Sequence, residues 1–183
     1  MNATELINRF PEIKEEYNSI AEKNRHYIVS DMEKCIKRVK SAKLNGVSLD
    51  GFRKKREWSY THTDDYFTDV EGFEEYLFSS INPEITEGTP CTILLYSDSY
   101  GCSVTSVKRN KQGHVVKVGV RKYDFTLTDW QDGEGVLEDT MYGEEEYFTL
   151  RKNGGWFQEG QPKSRGSVQL AMGYARTYRD PSF

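Results

Sequence analysis

The first 45 residues follow a helical period of apolar positions. Asn2 or Thr4 can cap a short first helix, and Pro11 suits the first turn of a second helix, where a missing N–H costs nothing. Asn45-Gly46 then supplies a left-handed helix stop. One longer helix is predicted before that stop, because apolar residues recur there every three or four positions: Ile28, Met32, Cys35, Ile36, Val39 and Ala42. Five basic residues lie mostly off this apolar face: Lys34, Lys37, Arg38, Lys40 and Lys43.

Two further helices are predicted before residue 83. Leu49, Phe52 and Trp58 can anchor a short one, with the basic run 53–56 exposed. A second is expected over about 69–81, begun by Asp69 as its cap and ended by Asn82-Pro83. Residues 1–82 therefore form a predicted helical region.

From residue 89 the apolar period changes from about 3.6 to 2, which is typical of strands. The segment 129–146 interrupts this alternation, and we expect it to be a long acidic connection containing glycines. We predict an α+β protein, in which the helical region precedes an antiparallel curved sheet or SH3-like small barrel over 89–183. Because Asn82-Pro83-Glu84 is a short connection, we expect one cooperative unit. The predicted strands are 91–96, 102–107, 116–120 with an extension toward 127, 147–150 and 168–172.

Charge is strongly segregated along the chain, although the net charge of the 183 residues is only −4. Residues 23–56 carry a net charge of +8, whereas residues 57–89 and 124–147 each hold nine acidic residues and no lysine or arginine. One interpretation is mutual neutralisation after folding. The other is a functional surface, in which spaced carboxylates imitate nucleic-acid phosphates or the basic block binds phosphates itself. The acidic candidates are Asp64, Asp65, Glu144, Glu145 and Glu146, and the basic candidates are Arg53, Lys54, Lys55 and Arg56.

Composition adds expectations about the compartment. No apolar run approaches the roughly 20 residues of a membrane helix, and the first residues lack the basic-then-apolar pattern of a signal peptide. Three cysteines are too few and too scattered for a disulfide framework. We therefore expect a soluble cytoplasmic protein without a membrane partner.

Few residues suggest catalysis. His26, His62 and His114 are far apart and no Cys-x-x-Cys pair occurs, so we expect no metal and no cofactor. Cys102 follows a predicted turn and is the most accessible thiol candidate for a nucleophile. Acidic pairs such as Asp64-Asp65 leave a metal-dependent nuclease as an alternative, although the pattern leans away from an enzyme.

The end of the chain carries a resemblance. Thr149 to Trp156 reads Thr-Leu-Arg-Lys-Asn-Gly-Gly-Trp, and the chain ends in Tyr178-Arg179-Asp180-Pro181-Ser182-Phe183. Across roughly residues 86–183 it resembles a family of small, largely uncharacterised proteins of bacteriophages and other mobile elements. Within it, 88–120 is similar to an SH3-like strand pair.

The resemblance implies a class of function without implying any catalytic residue. Compact acidic proteins of mobile elements often inhibit host defence nucleases, and anti-CRISPR proteins acting on Cas9-type enzymes are one such class. The expected partner is thus a bacterial defence nuclease or its guide RNA complex. A nucleic-acid-binding module and a structural accessory stay open, and an exposed sheet edge can also pair two copies into a homodimer.

Overall fold

A computed structural model describes residues 1–57, 70–129, 133–151, 154–161 and 168–181; for 55–57, 129 and 134 the backbone alone is described. The chain divides into two compact units. The first, the helical unit, comprises Met1–Lys43 and Val47–Pro83, and the second, the β unit, comprises Leu44–Gly46 and Glu84–Phe183. Whether they unfold together stays a prediction.

The described residues of the helical unit form five α-helices: α1 Ala3–Arg9, α2 Pro11–Ser19, α3 Arg25–Leu44, α4 Leu49–Glu57 and α5 Phe73–Ser80. The cap predicted at Asn2 is confirmed as a capping box, in which the Asn2 side chain accepts from the Glu5 N–H and the Glu5 carboxylate accepts from the Asn2 N–H. Pro11 starts α2 as predicted. The predicted cap Asp69 lies outside the described residues, and α5 begins instead at Phe73, after Gly72.

The predicted apolar face of α3 is confirmed. Ile28, Met32 and Val39 are among its buried residues, and they join α1, α2 and α5 in one apolar core. From the other helices this core takes Leu6, Ile13, Phe73 and Leu77. Cys35 is buried there, as the helical spacing predicted. None of the described helices combines the length and the apolar character needed to span a lipid bilayer.

In the described part of the β unit, six strands form a closed barrel in which neighbours follow chain order and β6 returns to β1. Every pair is antiparallel, which confirms the predicted α+β class and its antiparallel sheet. The strands are β1 Pro90–Leu94, β2 Ser99–Arg109, β3 Val115–Asp129, β4 Glu134–Leu150, β5 Trp156–Gln158 and β6 Gln169–Met172.

Alternating residues of these strands fill the barrel interior. Val104, Val118 and Val120 meet Phe148 and Trp156 in its core. The core also contains Cys102, so the expectation of an accessible thiol is wrong. The side chain is directed inward from β2, and burial raises its pKa to about 12.

The connection predicted over 129–146 is also wrong. β3 continues to Asp129 and β4 begins at Glu134, so that most of this stretch is strand. Alternation of apolar and polar residues indicates a strand only where one face of the sheet is buried and the other is exposed. Here most side chains of residues 136–144 are exposed, so the sequence of this part of β4 shows no apolar–polar alternation to recognise.

Candidate functional site: an acidic hairpin arm

The β3–β4 hairpin is much longer than the barrel requires. Pairing of β2 with β3 reaches Cys102 and Lys122, and pairing of β4 with β5 involves only the stretch from Phe148 onward. Beyond these points, residues 123–129 pair with residues 134–144. Among the described residues, no further strand pairs with the outer edge of either segment. We call the segment 123–144 the arm.

The arm is acidic along its whole length. Its sequence holds seven aspartates and glutamates and no lysine or arginine. Glu138, Asp139 and Glu144 are exposed on β4. Their carboxylates face water and are available to a cationic partner.

Hydroxyl–carboxylate hydrogen bonds connect the two strands of the arm. Thr126 Oγ1 donates to Glu138 Oε1 at 2.6 Å, and Thr140 Oγ1 donates to Asp124 Oδ2 at 2.5 Å. Such cross-strand pairs stabilise an antiparallel ladder even where no core lies beneath it. Hydrogen bonds between side chains thus help to hold the two strands of the arm together.

The tail of the chain, residues 175–181, forms hydrogen bonds with the end of the arm, and we call this contact the clasp. The Arg179 N–H donates to the Gly133 carbonyl at 2.9 Å, and Tyr178 exchanges two backbone hydrogen bonds with Ser99 at the start of β2. Gly133 has φ +67°, and a Cβ there would overlap the Arg179 carbonyl oxygen. Only glycine fits this close approach. The tail segment of the resemblance motif therefore has a structural role, which is to fix the arm to the barrel.

The tail has further bonds that support this clasp. The Asp180 N–H donates to Asp98 Oδ1, and Thr177 Oγ1 accepts from the Gly101 N–H, both at 2.9 Å. An open cleft of about 320 Å³ is lined by arm and tail residues: Gly135, Leu137, Ala175, Arg176 and Thr177.

The three consecutive candidate glutamates, Glu144, Glu145 and Glu146, have three different environments. Glu146 belongs to a half-buried ion pair. Glu146 Oε1 lies 2.6 Å from Lys122 Nζ, and Gln158 Nε2 donates to Glu146 Oε2 at 3.0 Å. The charge of Glu146 is therefore neutralised within the β unit.

Glu145 is held by three hydroxyl groups on the other side of the strand. Thr105 and Ser106 donate to its Oε1 at 2.6 and 2.7 Å, and Tyr147 donates to its Oε2 at 2.5 Å. These bonds, that from Thr105 foremost, hold the pKa of the Glu145 carboxyl below its usual value. The carboxylate lies over Gly119, where a Cβ would collide with it.

Glu144 differs from both neighbours. It is exposed, and it makes no hydrogen bond or ion pair with another described residue. Of the three glutamates, Glu144 alone presents a carboxylate without a partner in the described parts of the chain. Asp64 and Asp65, the other acidic candidates, lie outside the described residues.

The basic candidates divide in a similar way. Arg53 on α4 donates from Nε to Glu74 Oε2 at 2.8 Å and from Nη2 to Glu75 Oε1, and its guanidinium lowers the pKa of the Glu75 carboxyl. Lys54 is exposed, whereas the side chains of Lys55 and Arg56 lie outside what the structure describes. The structure thus places Arg53 in an ion pair within its own helical unit.

Sequence reasoning missed Glu138 and Asp139, which lie exposed in the arm. The acidic block 124–147 contained them, but charge density alone did not indicate which carboxylates share a surface. Among the described residues, no three histidine, cysteine, aspartate or glutamate side chains come together as metal ligands. His62 lies in the part of the chain that is not described.

No family model, curated protein or solved structure matches this chain.

Proposed function

We propose that this is a non-enzymatic binding protein of a phage or mobile element that inhibits a bacterial defence nucleoprotein of the Cas9 type. The observation that carries the proposal is the arm, a hairpin beyond the barrel whose sequence holds seven acidic residues and no basic one and on which Glu138, Asp139 and Glu144 are exposed. Cas9-type effectors hold nucleic acid in a positively charged channel and read the adjacent motif with arginines. An acidic arm is complementary to either surface.

The way the arm is held supports this role. Its two strands are joined by threonine–carboxylate bonds, and its end is attached to the tail through Gly133. A binding element that is already ordered loses less conformational entropy on association. The arm can therefore present its carboxylates at fixed spacing without first having to fold.

The test compares two double charge reversals in the full chain. D139K/E144K changes two exposed carboxylates of the arm, whereas the control E15K/E87K makes the same change in charge at exposed sites on α2 and in the loop before β1. We expect the wild type and the control to bind Cas9 loaded with guide RNA and to block DNA cleavage. The arm variant should bind at least roughly tenfold more weakly, because like charges juxtaposed in an interface cost several kcal/mol.

A reversal of all three glutamates is a poorer test. E144K/E145K/E146K would also remove the partner of Lys122 and the acceptor of three hydroxyl groups. A loss of binding by this triple variant would not distinguish an unfolded barrel from a lost contact with the partner. Absence of binding and inhibition by the wild-type protein, or equal losses in the two double variants, would contradict the proposal.

A further inference from the structure

The cationic surface of the helical unit lies on α3, outside the run of basic residues around Arg53. The buried residues of α3 occupy one side of the helix. Since successive residues are rotated by about 100°, the opposite side is centred near Ser30, Lys37 and Ser41. Four basic residues are exposed around that outer side: Lys34, Lys37, Arg38 and Lys40. Glu33 is the one exposed acidic residue in the same stretch of α3.

Three other cations of this unit are engaged with neighbouring groups. Lys43 donates to the Phe78 carbonyl and to Asn82, Arg25 donates to the Tyr17 carbonyl, and Arg53 binds two glutamates. Lys37 and Lys40, by contrast, have no hydrogen bond or ion pair with any other described residue. Lys34, whose side chain is 52% exposed, pairs with Asp31, three residues away, at 3.0 Å. Since exposed pairs of this kind contribute little, Lys34 can exchange Asp31 for another anion.

Exposed aromatic rings lie on the same helix, near its start. Tyr27 is 62% exposed, and its ring centroid lies 4.0 Å from that of the exposed His26. Tyr27 precedes Lys34 by seven residues, which is close to two helical turns, so both side chains project from the same side of α3. An exposed ring in line with cations is the arrangement by which proteins stack the bases and bind the phosphates of single strands.

We propose that the outer face of α3 binds single-stranded nucleic acid, with Lys34, Lys37 and Lys40 contacting phosphates and Tyr27 stacking on a base. The ring favours this ligand over an acidic protein, because an acidic surface would bind the lysines and would make no use of the exposed part of the Tyr27 ring. The acidic arm cannot supply this contact, since it repels phosphates. The proposal thus goes beyond the inhibitory role of the arm and does not depend on it.

The test is fluorescence anisotropy of a labelled 20-nucleotide single-stranded RNA, and of the matching DNA, titrated with the full chain at several salt concentrations. K34Q/K37Q/K40Q removes three charges from α3 and keeps good helix formers there. K14Q/K108Q/K111Q removes three charges from exposed lysines elsewhere and is the matched control. Far-ultraviolet circular dichroism checks that both variants fold.

We expect the affinity of the wild type to fall steeply with salt. Each phosphate contact contributes about −0.7 to the slope of log K against log salt for a single strand. The slope of the α3 variant should therefore be less negative than that of the wild type by about 2. Its affinity at low salt should drop roughly tenfold or more, whereas the control should stay within about threefold. Y27A should bind roughly fivefold more weakly with an unchanged slope, because stacking is not ionic.

Three results would overturn this inference: no binding of either strand at low salt, equal losses in the two triple variants, or unchanged affinity in Y27A. D139K/E144K separates the two proposals, because we expect it to retain strand binding while losing inhibition of Cas9. If the arm variant inhibits normally while K34Q/K37Q/K40Q loses strand binding, the inhibitory proposal fails and this one stands.

Discussion

The barrel body and the arm are built from the same two strands and are stabilised by different means. In the body, Val118, Val120 and Phe148 are fully buried, and β2 and β5 flank the hairpin. In the arm, Val136 is 58% exposed, and cross-strand hydrogen bonds between threonines and carboxylates connect the strands. The same hairpin therefore passes from a region stabilised by apolar burial to one in which threonine–carboxylate hydrogen bonds and the contact with the tail connect the strands.

The same transition decides what a carboxylate can do. Glu146, in the body, is paired with Lys122, and Glu145 is held by three hydroxyl groups. Glu144, one residue further toward the arm, is exposed. Three adjacent and chemically identical residues thus provide an internal ion pair, a hydrogen-bonded anchor and a free surface charge. Position relative to the barrel determines availability for binding more than charge density does.

We expect the largest difference in stability between the two regions when one valine in each is replaced by alanine. We expect V120A to lower the free energy of unfolding of the β unit by about 2–3 kcal/mol, since it removes two buried methylene-sized groups and leaves a cavity. V136A, the same change in the arm, should stay within about 0.5 kcal/mol of the wild type. Urea denaturation measures both. Equal losses in the two variants would show that the arm has a core of its own.

A second comparison concerns two glycines with left-handed backbones. G133A should cost about 2 kcal/mol, because a Cβ there meets the Arg179 carbonyl oxygen in addition to the backbone strain. G143A, with φ +76° and open space around it, should show the strain alone, roughly 1–2 kcal/mol.

Hydrogen exchange distinguishes these variants more sharply than stability does. In G133A we expect faster exchange at the Arg179 amide and through the arm, while the Val118 and Val120 amides in the body stay protected. In G143A the Arg179 amide should keep its protection. If G133A leaves the Arg179 amide protected, the tail does not clasp the arm.

The sequence predicts the body well for a physical reason. Alternation at Val116, Val118 and Val120 exists because one face of the strand is buried, and the same holds for the apolar face of α3. Most side chains of residues 136–144 are exposed, so 129–146 was predicted as a connection, whereas the alternation at Phe125 and Leu127 predicted the extension of β3. The close approach of Gly133 and Arg179 joins residues far apart in the chain, and no local pattern encodes it.

The candidate site was predictable as a region and not as residues. The acidic block 124–147 was visible in the sequence, and most of it lies in the arm. Which of Glu144, Glu145 and Glu146 is exposed depends on partners contributed by β2, β3 and β5. Likewise, Arg53 is balanced by Glu74 and Glu75 on another helix, a pairing that composition cannot reveal.

The smallest expected effect compares Glu145 with Glu144. E145Q should lower the stability of the β unit by about 1 kcal/mol at neutral pH, because a neutral amide accepts hydroxyl bonds less strongly than a carboxylate. E144Q should have no measurable effect, since Glu144 has no partner among the described residues.

The dependence on pH follows from the depressed pKa of Glu145. Its folded-state pKa lies below the roughly 4.3 of an unfolded glutamate, so its contribution is complete above that pH and is lost as the pH falls through the lower, folded value. The stability difference between wild type and E145Q should therefore be constant from pH 7 to about 5 and shrink in more acidic solution. Urea denaturation across this range measures it. A difference that persists unchanged into strong acid would mean that the hydroxyl groups recognise the shape of the side chain, and that the charge of Glu145 has no part in joining β4 to β2.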